Sequence, residues 1–462
     1  MIDVLVVGGG LAGLSAAVTA AAAGADTRLL EKGTMLGGNA TQAYVHSFCG
    51  LFEPPLEGRF SYVNPGFTPW FVEGLQQAGG ALAPEVHGRV GVVPIYPPRL
   101  ADYALRVVQM FPSLRVQFAA DLINLRMERQ AGTEIALARY RQPQGDRMVH
   151  ARAVIDASGD ATAGQLAGAA CETPAGEELQ NATLIFRVSG ANEAELAGYS
   201  RLKLSAAIAR GAATGDLPPE CDSVLVRPGE LPGEAYISLN LPKGSERDYA
   251  PLDAGFMHEY TRHAHGLAES LIEFLRSRIP GWSGVRLLAW PCRIGVRESR
   301  HLLGRYVMQE ADILEAARFP DAVARSSWPI ELWRGHKGAN FKYPSGVAEI
   351  PLRALLSRSY DNLGMAGRCM SGSHMALGAL RVLGTAMATG EAIGLAAAQA
   401  VNTGCGLAAV SAAQVHEQRN RLMETVFLQP QTSRNRIFSA IEPTESTPES
   451  AFVGQISGAD GI

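Results

Sequence analysis

The chain opens with Ile2-Asp-Val-Leu-Val-Val7, a short apolar run ending on glycine, as a strand buried in a parallel sheet should. Residues 11 to 23 then carry leucine, alanine and serine in a helical composition, closed by Gly24 at the C-terminal cap position. Thr27 to Leu30 form a second strand ending at Glu31, so a strand, helix, strand unit is complete at the very start of the chain. From Gly33 to about Pro98 glycine, proline and aromatics dominate without a long period, which predicts loops with one helix inserted around 69 to 78. Helical spacing resumes at 99 to 111, and strand-like segments follow at 115 to 118, 121 to 128, 134 to 140 and 148 to 155. Alternation at 183 to 188 and 235 to 241 predicts a second strand-bearing unit, with a helix at 264 to 277. A charged helical segment at 305 to 318, a strand at 361 to 366 and a long small-residue helix at about 372 to 401 complete the pattern.

Gly8-x-Gly10-x-x-Gly13 sits where the first strand becomes the first helix. Gly8 permits the tight turn, Gly10 lets backbone approach a pyrophosphate, and Gly13 lets helix and strand pack closely. Leu11 and Ala12 begin a helix whose free N–H groups and positive dipole end face the phosphates. Glu31 is placed to accept hydrogen bonds from an adenosine ribose, with Lys32 beside it. The series predicts dinucleotide binding. Composition agrees, because glycine supplies 50 of 462 residues, above a usual share of about 7%, without a collagen period. The 41 basic and 45 acidic residues leave a net charge of -4, a balance that speaks against a nucleic-acid binder or a disordered chain. Six cysteines form no CxxC pair, which reads as reduced thiols and offers no zinc ligand set. Ile2 to Ala25 is nearly uncharged, but it lacks a positive leader region and is broken by Gly8, Gly9 and Gly10. The expectation is a mature cytoplasmic protein without a membrane span.

Glu31-Lys-Gly-Thr-Met-Leu-Gly-Gly-Asn-Ala-Thr41 resembles the stretch after the second strand in glutathione-reductase-type flavoproteins, where a Gly-Gly pair brings backbone close to ribitol and isoalloxazine. Asn362-Leu-Gly-Met-Ala-Gly-Arg-Cys-Met-Ser371, followed by the small-residue helix through Gly390 and Gly394, looks like that class's second contact with FAD. With Asp156-Ala-Ser-Gly-Asp160 and Arg293-Ile-Gly-Val-Arg-Glu-Ser-Arg300, these segments are similar to the FAD-dependent oxidoreductases, relatives of the fumarate reductase flavoprotein branch. The resemblance covers residues 1 to 50, 148 to 168 and 290 to 400. It implies an α/β fold: a Rossmann-like three-layer FAD-binding domain assembled from 1 to 60, 95 to 170 and 345 to 425, and a second α+β substrate domain at 171 to 344. A loop insertion at 61 to 94 and a flexible polar tail at 441 to 462 complete the organisation. Beyond the N-terminal fingerprint it implies FAD contacts at Gly37, Gly38, Asn39, Ala40, Thr41, Ser158, Gly159, Gly367, Arg368 and Ala379, and a late helix whose N-terminus points at the pyrimidine end of the flavin. Two departures stand out. Arg368 occupies a place where many relatives carry an aspartate for the ribitol, and residues 33 to 41 hold no histidine to carry FAD covalently, so non-covalent FAD is expected.

The catalytic candidates are His46, Arg297, Glu298 and His374. His46 follows the Gly-Gly pair and suits general acid or base work, or else is a satisfied histidine in a polar loop. Cys49 lacks a spaced partner and reads as a structural thiol. Arg293, Arg297, Glu298 and Arg300 crowd together either as a guanidinium set for a substrate carboxylate, with Glu298 holding it, or as a salt-bridged face between domains. His374 begins the late helix, in a catalytic or a packing role, and His336 and Lys337 are further candidates in a polar loop. His258, His263 and His265 crowd without an acid at HExxH spacing and read as an exposed helix face. A single GxGxxG in strand-turn-helix context disfavours a separate bound NAD(P)H, leaving oxygen, a quinone or a partner protein as the electron acceptor. The expected function is an FAD-dependent dehydrogenase or oxidase for a small organic substrate, carboxylate-bearing if the arginine set is a substrate seat. The alternatives are a hydroxylase or halogenase fed with reduced flavin, and a non-catalytic FAD-binding sensor. Neither Trp282 to Trp290 nor Trp328 to Trp333 reproduces the Trp-x-Trp-x-Ile-Pro stretch of halogenases.

Overall fold

The structure is a computed structural model that describes residues 1–54, 58–130, 133–196, 198–242, 249–334 and 338–428. The expected tail at 441 to 462, His336 and Lys337 lie outside the described residues.

Ile2–Val7 pairs in parallel with Thr27–Leu30 on one side and with the C-terminal half of Gly145–Asp156 on the other. Leu114–Gln117 extends this sheet beyond Thr27–Leu30, and Leu363–Met365 adds in parallel to Gly145–Asp156. The N-terminal half of Gly145–Asp156 turns instead into an antiparallel meander with Thr133–Gln142 and Asp121–Gln130. Val4 to Val7 are buried throughout, as an apolar run covered on both faces must be. The mixed α/β architecture with a parallel sheet is the one expected.

A second, antiparallel sheet runs in the order Val224–Pro228, Ala235–Leu241, Ala182–Ser189, Arg286–Ala289. Its side chains alternate between two destinations. Leu184, Phe186, Val188, Ile237 and Leu239 enter a core closed by the helix Ala254–Arg278, while Thr183, Ile185, Ser238 and Asn240 line a cavity on the other face. The stretch 61 to 94 holds the helix Phe67–Gln77 and a hairpin of Glu85–His87 with Val90–Pro94, whose residues His87, Val90 and Val92 reach the same cavity.

Three elements differ from expectation. The segment 305 to 318 contains only the short helix Glu310–Leu314. A 17-residue helix, Gly198–Thr214, was not visible in the sequence, where neither its glycines nor its scattered polar residues give a clean apolar stripe. The late helix is two helices, His374–Leu380 and Leu383–Thr403, separated by an extended Val382 at ψ 154°. No proline causes this break. The Gly384 N–H donates instead to the Cys49 carbonyl at 2.9 Å, so a tertiary hydrogen bond replaces a helical one and starts a new helix there. Among the described residues no helix is long and apolar enough to cross a membrane.

Candidate functional site

The first turn is built around close backbone approaches. Gly8 sits at φ +101°, and a Cβ on Gly13 would stand 1.8 Å from the Gly8 carbonyl oxygen, so only glycine lets the helix rise this close to the turn. The Gly37-Gly38 pair crosses directly over it. Gly37 donates its N–H to the Gly9 carbonyl at 2.8 Å, and a Cβ on Gly38 would lie 2.8 Å from Gly10 Cα. The pair expected to admit the ribitol therefore also docks two glycine turns against each other.

The Glu31 carboxylate is buried at the end of its strand and accepts from the Gly9 N–H at 2.7 Å, the Gly33 N–H at 2.6 Å and Gln42 Nε2 at 3.2 Å. A carboxylate offers about four acceptor positions, so one remains for an outside hydroxyl. From Glu31 and Lys32 a groove of about 220 Å³ runs past Gly8, Gly10, Leu11 and Ala12 to Gly37, Gly38 and Asn39, with Ser158, Gly367 and Arg368 along its wall. Gly13, Ala40, Thr41 and Gly159 stand behind that wall; Thr41 Oγ1, for instance, donates to the Leu36 carbonyl at 2.7 Å. Ala379 is placed elsewhere, fully buried inside the short helix His374–Leu380 and away from the groove. The glycine cradle, the helix N-terminus and an acid with a spare acceptor position together fit FAD.

Arg368 does not stand alone where an aspartate was expected. Its guanidinium lies 2.9 Å from an oxygen of Asp160 and donates to Ser299 Oγ at 3.1 Å. Burial is the largest single influence and would raise the Asp160 carboxyl, but Arg368, the Ser299 hydroxyl and Arg293 together outweigh it and hold the group below the ordinary carboxylate range. The acid thus comes from the Asp156-Ala-Ser-Gly-Asp160 loop, and Asp160 itself lines the groove.

A larger cavity of about 550 Å³ opens beside the groove. Asn39, Arg368, Arg381 and Leu383 line both spaces and mark where they meet. Because the late helix is broken, the N-terminus at this junction is Leu383, and His374 lies at the start of the shorter helix outside both spaces. The crowded charges near 297 separate accordingly. Arg293 faces the groove, Arg297 faces the cavity, and Arg300 Nε donates to the Asp160 carbonyl at 3.0 Å. Glu298 does not hold Arg297. It is buried against His374, whose Nδ1 donates to both carboxylate oxygens at 2.7 and 2.8 Å, while Nε2 accepts from Arg334 at 2.5 Å. Both ring nitrogens are spent on this tie, which leaves His374 no atom for a substrate.

His46 does line the cavity, stacked on Tyr236 with ring centroids 5.1 Å apart. Its Nδ1 lies 2.9 Å from the Tyr44 carbonyl, which can only accept, so Nδ1 carries the proton and Nε2 is left as a free acceptor. Burial, aided by the positive charge of Arg227, lowers His46 from 6.5 to about 4. Between those values the unfolded chain binds a proton that the folded chain refuses, so stability should fall as pH drops through that window. Urea midpoints at several pH values in this range should decline, and His46→Asn should make the decline shallower; an unchanged slope would remove His46 as its source. Cys49 also lines the cavity, and burial pushes its thiol up to about 12, so it stays protonated near neutrality.

The sequence reading passed over Glu331 and Arg381, both of which line the cavity. Trp328 Nε1 and Trp333 Nε1 donate to the two Glu331 oxygens at 2.7 and 2.5 Å. The signal for this was the Trp-x-x-Glu-x-Trp spacing, in which one acid sits between two indoles. Arg297 lies over the Trp333 ring, 4.3 Å from its centroid, and burial together with Arg381 lowers it to about 9. On the helix Ala254–Arg278, His265 stacks on Trp290 and His263 stands 3.8 Å from Glu220, and no metal-binding group forms among the described residues.

No curated protein matches the chain. Among solved structures, p-nitrophenol 4-monooxygenase from Pseudomonas putida is 12% identical, with 97% of this chain and 90% of that one covered at a TM-score of 0.42. A geranylgeranyl bacteriochlorophyll reductase-like protein from Thermoplasma acidophilum is 14% identical over 94% and 87%, at 0.42. A flavoprotein/dehydrogenase from Cytophaga hutchinsonii is 14% identical over 87% and 79%, at 0.41. The family model described as FAD dependent oxidoreductase matches residues 3–419, nearly the whole described chain. With that match and a groove whose glycines and acid suit the cofactor, the chain belongs to the FAD-dependent oxidoreductase family and its cofactor is FAD.

Proposed function

We propose that the protein holds FAD non-covalently along the groove and uses it to oxidise a small organic molecule bound in the larger cavity. The observation that carries this reading is the meeting of the two spaces at Asn39, Arg368, Arg381 and Leu383. A ligand in the cavity then abuts the end of the groove opposite Glu31, the end that the ribose does not occupy. When bound, FAD supplies a two-electron acceptor. Glu31 and the turn Gly8–Gly13 take the ribose and pyrophosphate, while Gly37, Gly38, Asn39 and Gly367 let backbone approach the remainder. Asp160, held ionised by Arg368, Ser299 and Arg293 together, accepts the hydroxyl contact that an aspartate at position 368 would have made.

In the cavity, Arg297 and Arg381 orient the substrate and the apolar wall of Val45, Val92 and Ile185 excludes water. His46 Nε2 is the acceptor available for a substrate proton. The protonated Cys49 thiol, without a partner cysteine, has no part in a dithiol exchange. The test is the purified protein, which should be yellow, release intact FAD on denaturation, and bleach anaerobically with its substrate. Such bleaching with a product two hydrogens lighter marks a dehydrogenase; a flavin that the substrate alone leaves yellow, with a product one oxygen heavier formed only when a reductant and air are both supplied, marks a hydroxylase. A colourless protein that takes up no FAD would sink the proposal.

A further inference from the structure

The cavity carries a charge its own walls do not answer. Arg297 donates to the Asn181 carbonyl and, at 3.4 Å, to Asn240 Oδ1, while Arg381 donates at 3.3 Å to Gln180 Oε1 and to the Glu331 backbone carbonyl. All four acceptors are neutral. Among the described residues neither guanidinium lies within ion-pair distance of a carboxylate, and Arg381 Nε is buried without a partner. Glu331 offsets one of the two positive charges at most, and each of its oxygens is already committed to an indole N–H. Thr183 adds a buried hydroxyl with no partner on the adjoining strand. Buried donors left open at a cavity wall are costly unless something entering the cavity accepts from them.

Away from this end the lining turns apolar. Val90 and Ile185 lead to Leu225, Phe341 and Tyr343, which line the cavity and yet are 52%, 45% and 41% exposed at its mouth. The cation on that side, Arg227, is engaged by Glu85 at 3.3 Å and by His87 Nδ1 at 3.0 Å. One end therefore has a vacant seat for a single negative charge, the other has none, and the volume of about 550 Å³ suits a ligand of tens of heavy atoms at most.

Resting on the oxidoreductase reading above, we infer that the substrate is an amphiphilic monocarboxylate, with its acid group on Arg297 and Arg381 and its apolar body extending to the mouth at Leu225, Phe341 and Tyr343. The guanidiniums fix which part of the molecule meets the end of the groove, and the apolar wall sets the length and bulk of the body. A dicarboxylate finds no second seat, and a neutral analogue leaves the open donors unanswered.

The test uses the full chain with FAD bound and reads binding by calorimetry and by the change in the flavin absorption spectrum. The probes are decanoate and 1-naphthoate, against 1-naphthamide and succinate. At least one of the two monocarboxylates should bind about 10-fold or more tighter than both controls, as a charge-assisted pair requires; whether chain or ring binds better reveals the body preferred. Arg297→Gln, which lies in the cavity and outside the groove, should weaken the bound acid roughly 10- to 100-fold while leaving 1-naphthamide binding unchanged, and Arg381→Gln serves as the second variant should the first not fold. Equal binding of acid and amide, tighter binding of succinate, no binding of either acid at about 1 mM, or an unaltered acid affinity in both variants overturns the inference. Any of these in a yellow, reducible protein leaves the oxidoreductase reading standing, whereas a protein without FAD removes that reading first.

Discussion

Glu31→Arg is expected to give a folded protein that purifies colourless and cannot be reconstituted with FAD. The Glu31 carboxylate gathers the Gly9 and Gly33 N–H groups and Gln42 Nε2 around one buried point, and its remaining acceptor position is the one a ribose hydroxyl would fill. Arginine brings five more donors to a site where three already point inward, so the site loses every acceptor it had and gains a charge that repels them. Each charge-assisted bond lost is worth about 1.5–3 kcal/mol, enough together to empty the groove at ordinary FAD concentrations. Glu31→Gln keeps one carbonyl oxygen and should retain FAD with roughly 10- to 100-fold weaker affinity. Circular dichroism checks that both variants are folded, and the visible flavin absorption per protein reads occupancy. A yellow Glu31→Arg protein at full stoichiometry would move the ribose contact away from Glu31.

That prediction could be framed from the sequence because the fingerprint is local. Gly8 to Glu31 lie within one strand, helix, strand unit, and their roles follow from where a turn must be tight and where a strand must end. The alternation at 183 to 188 was likewise legible as a strand, and the structure shows what it separates, Leu184 and Phe186 facing the core and Thr183 and Ile185 the cavity. What stayed hidden depends on contacts between distant segments. Glu298 is adjacent in sequence to Arg297 but bonds His374, which lies 76 positions away. The break before Leu383 has no proline or cap to announce it, because its cause is a hydrogen bond to Cys49. Arg381 falls within the stretch expected as one long helix, and its place at the junction of groove and cavity follows from that same break.

The second large effect lies where the first helix meets the helix Leu383–Thr403. Gly390 and Gly394 of the helix Leu383–Thr403 press on the first helix, Leu11–Ala22, and Ser15 Oγ donates across the contact to the Met387 carbonyl at 2.7 Å. A Cβ on Gly390 would stand 2.1 Å from the Ala12 carbonyl oxygen and 2.9 Å from its carbonyl carbon, both backbone atoms that no rotamer change can move aside. Ordinary helix propensity predicts that Gly→Ala stabilises by up to about 1 kcal/mol. Here the clash must win, because overpacking against a fixed backbone costs about 1–3 kcal/mol or more, so Gly390→Ala should lower the urea midpoint. The cost should also reach the cofactor. Ala12 lines the groove from one helix, and Leu383 and Ala386 line it from the other, so prying the helices apart displaces both walls and weakens FAD retention. Gly266 provides the control, since it lies exposed within the helix Ala254–Arg278 and an added Cβ meets nothing within 4 Å. Gly266→Ala should therefore raise stability by about 0.5–1 kcal/mol and leave flavin binding untouched. If both alanine variants shift the midpoint upward alike, the two helices do not meet as closely as the glycines indicate, and the seat of the pyrophosphate does not depend on their contact.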